Sequence, residues 1–429
     1  VNDVIDDLHR RGLIAQSTDE AALRAHLAEG PVAYYAGFDP TAQSLHVGHL
    51  LQFMVLRALQ RAGHQPVVLV GGATGLIGDP RPSSERQLND RDTVASWVER
   101  IREQVAPFLD VPAETEGLKG PIYVDNLDWT APISAIDFLR DIGKHFRVSQ
   151  MLAKEAVSAR LNSEAGISYT EFSYQILQAN DYRELHRRHG VTLQTGGSDQ
   201  WGNLTAGIDL VRRTEGARVH ALSTPLVTKS DGTKFGKSEG GAVWLDPTLT
   251  SPYAFFQFWL NADDADARQW LPLYSERPAE EVEALIAESL ERPAARTAQR
   301  ALAEELTVLV HGQEQLEQAE AAGRALFGRD DLSALGEDTL GAALREAGSV
   351  TVYGEVPSYA QLLQLTGLVG SLSEARRTVK EGGAYANNER VADADAVPGD
   401  DAWLAGGWLV LRRGKRSIAG VQRTAHPGT

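Results

Sequence analysis

The chain is predicted to be α/β, with a parallel sheet flanked by helices at its start, an all-helical domain after it and a small α+β domain at its end. Three observations carry this. Over the first 225 or so residues short β-rich runs alternate with helical patterns; from about Ser251 the strands stop and Ala, Glu, Leu and Arg dominate; beyond Pro357 a short helix precedes two strands joined by Asn387-Asn388. A length of 429 residues fits roughly two to three domains.

In the first part, 32–38, 66–70, 121–124, 190–195 and 219–222 read as strands, and 50–62, 92–108 and 170–188 as helices. Such alternation implies parallel strands, whose ligands bind beyond the carboxyl ends, so chemistry is sought in the turns that follow them. The second part holds the helical patterns 278–290 and 294–327, and a looser stretch over 328–357 comes next. In the last part Ser371 with Glu374 suggests a capping box and Gly382-Gly383 a helix stop. Adjacent asparagines at 387 and 388 tolerate the positive φ of a tight turn. The expected domains are 1–245, 246–328 and 357–421, with 329–356 as a linker.

Hydrophobic residues make up 42% of the chain and charged residues 23%, which favours neither disorder nor a membrane class. Asp3, Asp6 and Asp7 stand where a secretory signal needs a basic start and an apolar run, so a cytoplasmic location is expected. Without cysteine there is no disulfide, thiolate chemistry or Cys-based zinc site, and a metal would need oxygen or histidine ligands. The net charge of -16 argues against a nucleic-acid partner, but it is unevenly spread: residues 353–429 balance at +1 and the first 352 at -17. Arg412, Arg413, Lys415 and Arg416 fall within five positions, either a local phosphate-following cluster or a solvated charged turn.

The first chemical motif is Tyr35-Ala-Gly-Phe-Asp-Pro-Thr41 followed by Ser44-Leu-His-Val-Gly-His49, a strand that turns into a helix. His46 and His49 share a face of the first turn, beside backbone N–H groups expected to be unpaired and to favour an anion. Gly48 between them would let a flat ring such as adenine approach. Other readings of the pair are a hydrogen-bonded structural feature or, lacking a third ligand, half of a zinc site. The second motif is Lys234-Phe-Gly-Lys-Ser238, with Gly232 before it and Gly240-Gly241 after it. Two lysines on a glycine-flanked loop can close onto a polyphosphate, although such a loop alone is more often merely solvated. Gly71-Gly-Ala-Thr-Gly-Leu-Ile-Gly-Asp-Pro80 fits neither common nucleotide-loop pattern, and its expected local role is a tight turn that aims Asp79.

The two motifs in this order, roughly 190 residues apart, resemble the HIGH and KMSKS signatures of the class I aminoacyl-tRNA synthetases. The 71–80 segment, Tyr169-Thr-Glu-Phe-Ser-Tyr174 with Gln178 and Asp181, and Gly196-Gly-Ser-Asp-Gln-Trp-Gly-Asn203 are similar to the bacterial tyrosine-specific enzymes almost residue for residue. Residues 357–421 look like an S4-type RNA-binding module. The resemblance implies a Rossmann-like catalytic domain, a helical domain on the anticodon side and an S4-like domain. It also implies activation of L-tyrosine by ATP to tyrosyl-adenylate and transfer to the 3' end of tRNA(Tyr), in a homodimer.

Position by position, the resemblance implies that Tyr35 and Asp181 bind the phenol hydroxyl, one donating and one accepting, and that Asp79, Tyr174 and Gln178 hold the ammonium. Gln200 would lie near the reacting carboxylate and Asp199 at the ATP ribose. Asp39, Thr41, His46, Gly48, His49, Lys234 and Lys237 would meet ATP, with Thr41, His46 and the lysines at the phosphates. Mg²⁺ would arrive on those phosphates, since no set of protein ligands is apparent. Arg81 or Arg86 would add a phosphate contact, and Asn180 stands where an aromatic is expected. In the tail Arg376, Arg377, Lys380 and Arg390 join the 412–416 cluster as tRNA-binding candidates. Two rival readings stand beside this one: the tryptophan-specific relative, which normally lacks the S4-like tail and the Tyr35/Asp181 pair, and a non-catalytic RNA-binding paralogue, which would gain nothing from both lysines.

Overall fold

The structure is a computed structural model describing residues 3–80, 88–110, 117–164, 166–233, 235–238, 241–327, 330–414 and 417–424. The chain forms two compact units, one of residues 1–246 with 263–298 and one of residues 247–262 with 299–429.

The first unit is built on a six-stranded sheet of β1 (Gln16–Ser17), β2 (Ala33–Phe38), β3 (Gln65–Val70), β4 (Ile122–Asp125), β5 (Val191–Gly197) and β6 (His220–Thr224). Its order is β1-β6-β5-β2-β3-β4, parallel throughout except for the two-residue edge strand β1, too short to show a pattern in the sequence. Successive side chains of a strand point to opposite faces, and Tyr34 and Tyr35 use both. Tyr34 is buried and donates through its hydroxyl to the Leu56 carbonyl at 2.5 Å, on the side of the helix Leu50–Arg61. Tyr35 enters a core with Trp129, Tyr182, Leu185 and Val211, on the side of the helices Tyr169–His189 and Trp201–Glu215. Each large apolar side chain buried in this way contributes about 1.5–3 kcal/mol before entropy is counted.

The helices Asp264–Tyr274 and Ala279–Glu291, expected in a separate helical domain from residue 246, group with the sheet. The physical reason is specific anchoring. Glu276 receives Arg57 Nε at 2.6 Å, and the Arg11 guanidinium donates to the carbonyls of Pro272 and Leu273 at 3.4 and 3.2 Å.

In the second unit the helices Pro252–Leu260, Gln313–Leu326 and Glu337–Ala347 pack on one another. The continuous helix expected over 294–327 is broken, by the left-handed Arg296 (φ 52°) and by Gly312 (φ 89°). The expected linker 329–356 contains the helix Glu337–Ala347 and strand β9 (Ser349–Tyr353), which pairs in parallel with β13 (Ser417–Thr424). With β10 (Ala384–Ala386), β11 (Glu389–Arg390) and β12 (Trp408–Arg413) they form a sheet of order β11-β10-β12-β13-β9.

The turn between β10 and β11 has Asn387 and Asn388 at φ 45° and 67°, the geometry a pair of asparagines tolerates. Ser371 caps the helix Leu372–Lys380 by accepting from the Glu374 N–H, but Glu374 accepts from Gly370 rather than completing the reciprocal box. Arg413 draws that carboxylate away, at 2.8 Å. The complete box in this unit is Ser358 with Gln361.

Candidate functional site

The sheet order reverses between β2 and β5, where a doubly wound sheet leaves a crevice at the carboxyl ends of its strands. A cleft of about 430 Å³ lies there. It is lined by Tyr35, Asp39, Thr41, His46, Gly48, His49, Asp79, Tyr174, Gln178, Asp181, Asp199 and Gln200, which gathers every candidate of the catalytic half except the two lysines, Arg81 and Arg86.

At the sheet side of the cleft Asp181 is buried and accepts two hydrogen bonds, from Asn126 Nδ2 to Oδ2 and from Trp129 Nε1 to Oδ1, both at 2.9 Å. Burial pushes its carboxyl up to about 8, against the pull of those two donors. The Tyr35 hydroxyl is buried without a hydrogen-bond partner, and burial with the nearby Asp181 charge raises its pKa well above the ordinary value. The side-chain amide oxygens Oε1 of Gln178 and Gln194, on the same cleft, are also unpartnered. A buried polar atom without a partner destabilises the empty fold, so this end is shaped for a ligand with a complementary hydroxyl and donors.

Two further carboxylates are held in place beyond it. Asp39 Oδ1 accepts from Thr74 Oγ1 at 2.6 Å and Oδ2 from the Tyr174 hydroxyl at 2.5 Å. Asp79 Oδ2 accepts from Gln200 Nε2 at 3.0 Å and Oδ1 from Asn203 Nδ2 at 3.4 Å. Gly71 is required by the first cluster, because a β-carbon there would stand 2.1 Å from Asp39 Oδ1.

His46 and His49 form a reciprocal cap. The Gly48 N–H donates to His46 Nδ1 and the His46 N–H to His49 Nδ1, both at 3.1 Å. The Val47 N–H goes to the Val243 carbonyl at 2.9 Å and the His49 N–H to the His46 carbonyl at 2.8 Å. The expectation of unpaired backbone N–H groups at this turn is therefore corrected: the two histidine rings and the carbonyls of Val243 and His46 take all four. Gly48 makes room for this arrangement, since a β-carbon there would meet the His46 ring at 2.8 Å. Burial pushes His49 down to about 3 and lowers His46 as well, so both rings are neutral near pH 7. With Nδ1 accepting, neutral His46 carries its proton on Nε2.

The Phe235–Ser238 segment reaches the same turn. Phe235 packs edge-on against Trp270, with ring centroids 4.8 Å apart. The Gly236 carbonyl accepts the Val243 N–H at 3.0 Å, and β7 (Lys237–Ser238) pairs with β8 (Gly241–Ala242). Lys234, Arg81 and Arg86 lie outside the described residues, and only the backbone of Lys237 is described.

Sequence reasoning missed Asn126, Trp129 and Thr74. Asn126 is fully buried and joins three groups: Nδ2 donates to Asp181 and to Thr74 Oγ1, while Oδ1 accepts the Ala73 N–H at 2.7 Å. The signal was present, because Asn126 and Trp129 follow the carboxyl end of β4. Asn180 is buried, and its Oδ1 accepts weakly from Arg183 at 3.4 Å.

The tRNA-binding candidates lie in the second unit. Arg376 is engaged by Asp395 at 2.8 Å and Arg413 by Glu374, so these two are committed to internal ion pairs. Arg377, Lys380 and Arg390 are exposed, and Arg412 lies over the Tyr385 ring at 4.3 Å. Lys415 and Arg416 are outside the described residues. Among the described residues no group of three or more His, Asp or Glu side chains could hold a metal ion, and no helix is long and apolar enough to cross a membrane.

Residues 27–328 match the family described as tRNA synthetases class I (W and Y), and residues 341–419 match the tyrosine–tRNA ligase SYY-like C-terminal domain. A tyrosine–tRNA ligase of Streptomyces avermitilis is 60% identical over 425 residues, covering 99% of this chain and all of the relative. One of Acidothermus cellulolyticus is 59% identical over 422 residues, covering 98% of this chain and 99% of the relative. Among solved structures, a C-terminally truncated mitochondrial tyrosyl-tRNA synthetase of Aspergillus nidulans superposes with a TM-score of 0.68 at 29% identity, over 76% of this chain and 95% of that one. A tryptophanyl-tRNA synthetase of Encephalitozoon cuniculi shares the fold, with a TM-score of 0.53 at 14% identity over 73% of this chain and 87% of that one.

Proposed function

The chain belongs to the class I tRNA synthetases of the tryptophan and tyrosine group, and from that premise we propose that it activates L-tyrosine with ATP and transfers it to the 3' end of tRNA(Tyr). The activity is that of an aminoacyl-tRNA synthetase, a ligase forming a carbon–oxygen bond. The observation that carries the choice of amino acid is the buried pair at the end of the cleft, the partnerless Tyr35 hydroxyl beside the doubly hydrogen-bonded Asp181. One donates to a phenol oxygen and the other accepts its proton, and phenylalanine would leave both unpaired.

Tyrosine lies with its phenol at that pair and its ammonium near Asp79, Tyr174 and Gln178. Gln200 sits by the carboxylate, which attacks the α-phosphorus of ATP in line and expels pyrophosphate. The ribose contacts Asp199, and Asp39, Thr41, His46, Gly48 and His49 border the nucleotide. The two histidines, kept neutral by burial, act as N–H donors to the phosphates, and Lys234 and Lys237 supply the positive charge that follows the leaving group. Mg²⁺ comes with the ATP phosphates and offsets their charge. In the second step the terminal ribose hydroxyl of the tRNA attacks the adenylate, which again needs positioning rather than a side-chain nucleophile.

The exposed Arg377, Lys380 and Arg390 of the S4-like domain bind tRNA backbone together with the half-buried Arg412, and Arg376, Arg413, Lys415 and Arg416 add to the same basic tail. The protein is cytoplasmic and a homodimer. Ile136, Leu139, Val148, Leu152, Leu161 and Tyr169 are large apolar side chains left exposed along one stretch of chain in the first unit, a concentration that a subunit interface would cover. The test of the reading is tyrosine-dependent ATP–pyrophosphate exchange. Exchange supported equally by phenylalanine or by tryptophan would overturn it.

A further inference from the structure

Lys154 is a largely enclosed ammonium that none of the roles above uses. It lies between two short helices of the first unit, and its Nζ donates to Asn203 Oδ1. That bond fixes which way the Asn203 amide points. With Oδ1 on the lysine, the Asn203 Nδ2 donates to Gln200 Oε1 at 2.8 Å and to Asp79 Oδ1 at 3.4 Å. Gln200, oriented in turn by Asn203, gives its own Nε2 to Asp79 Oδ2 at 3.0 Å.

The chain from Lys154 to Asp79 is thus continuous, and each amide in it has one orientation. Gly202 leaves the passage open, since a β-carbon there would stand 3.2 Å from Lys154 Cε. The lysine is pulled down to about 8 by burial, and the Asp79 charge is what acts against that pull. A side chain without a donor in its place would leave Asn203 free to turn its oxygen toward Asp79, converting a donor into a repelling acceptor.

The geometry points to Lys154 as a positioning residue for the substrate ammonium, acting through Asn203 to hold Asp79 and Gln200 in their receiving orientation. This rests on the reading that Asp79 meets that ammonium. Lys154 is too far back along the hydrogen-bonded chain to be a catalytic residue, and its effect belongs in amino-acid recognition rather than in nucleotide handling.

The experiment is pyrophosphate exchange by the full chain as wild type, Lys154→Met and Asp79→Asn, with 3-(4-hydroxyphenyl)propionate, which lacks the amino group, as a competitive inhibitor. Lys154→Met is expected to raise KM for L-tyrosine roughly 10-fold, the loss of a hydrogen bond to a charged group, while KM for ATP and the inhibition constant of the amino-free analogue stay within about 2-fold of wild type. Lys154→Gln, which keeps an N–H donor at lower volume, serves where the methionine variant does not fold, and it is expected to show the same selectivity at smaller amplitude. Unchanged tyrosine KM in both lysine variants, or equal loss for tyrosine and the analogue, overturns the positioning role. If Asp79→Asn shows the selective loss and the lysine variants do not, the lysine inference alone fails. If Asp79→Asn also treats both ligands alike, the ammonium assignment fails and takes the inference with it.

Discussion

Gly236 is seated on Val47: a β-carbon at Gly236 would come within 2.9 Å of Val47 Cγ2, and its φ of 79° is one that only glycine adopts without strain. The Gly236 carbonyl accepts the Val243 N–H, and the Val243 carbonyl accepts the Val47 N–H, so the Phe235–Ser238 segment and the histidine turn are tied by one short relay. Because both motifs depend on that relay, Gly236→Ala is expected to lower the rate of tyrosyl-adenylate formation by about 10-fold or more, combining a left-handed alanine with a steric conflict. Tyrosine affinity is expected to stay near wild type. Single-turnover activation measured beside equilibrium tyrosine binding checks this, and a parallel loss of binding would show that the relay supports the whole cleft.

The lysine following that glycine should matter when charge moves to pyrophosphate. Lys237→Ala is expected to reduce the activation rate by ~100-fold or more with little change in tyrosine affinity, because the interaction is made in the transition state. An unaltered rate would remove Lys237 from the chemistry.

The parallel sheet and most of the cleft were legible because the signals are local. Tyr35 lies within β2, Asp39 directly follows it and Gly196 is near the end of β5, all on β-rich runs that are plain, while Tyr174, Gln178 and Asp181 lie on the equally plain helix Tyr169–His189. What stayed hidden are partners distant in sequence. Asn126 meets Asp181 across 55 residues, and Lys154 meets Asn203 across 49, neither carrying a spacing that periodicity can detect. The capping histidines misled for a different reason. Their spacing correctly placed both at one helical turn, but only the ring orientations show that Nδ1 of each consumes a backbone N–H that was expected to face an anion. In the tail the Asn387-Asn388 turn was readable, whereas the pairing of Arg376 with Asp395 was not.

Specificity is predicted to depend on Asp181. Asp181→Leu removes the acceptor for the phenol proton and strands the donors of Asn126 and Trp129, so kcat/KM for tyrosine is expected to fall and the preference over phenylalanine to shrink by at least about 10-fold. If the tyrosine-to-phenylalanine ratio stays at its wild-type value, Asp181 does not read the hydroxyl.

The same residue has a signature in stability. Its carboxyl is raised from 3.8 to about 8 in the folded chain, chiefly by burial. A raised pKa means that the folded form holds the proton more tightly than the unfolded form. The corresponding stabilisation is full below about pH 4 and is lost as pH rises through about 8. Asp181→Asn, which cannot titrate, is therefore expected to lose less thermal stability between pH 5 and pH 8.5 than wild type. Melting temperatures in the absence of ligands measure this, and identical pH profiles for the two proteins would show that Asp181 titrates as an ordinary carboxyl.

The tail requires substitution rather than truncation. A cut after Val352 would leave β9 without its parallel partner β13, and would strip the Trp408 ring from Gly341 and Arg345, so reduced charging could reflect a damaged fold. Arg377, Lys380 and Arg390 are exposed, and removing their charge leaves the internal pairs Arg376–Asp395 and Arg413–Glu374 intact. Phosphate contacts supply affinity and orientation without amino-acid chemistry. The triple alanine variant is therefore expected to retain wild-type pyrophosphate exchange while its KM for tRNA rises. The dependence of that KM on salt is expected to flatten by about one logarithmic unit of slope for each phosphate no longer neutralised. Measuring exchange and aminoacylation on one preparation, at two salt concentrations, decides the matter: an unchanged salt slope would move the tRNA-binding surface away from this face, and a loss of exchange would make the residues structural.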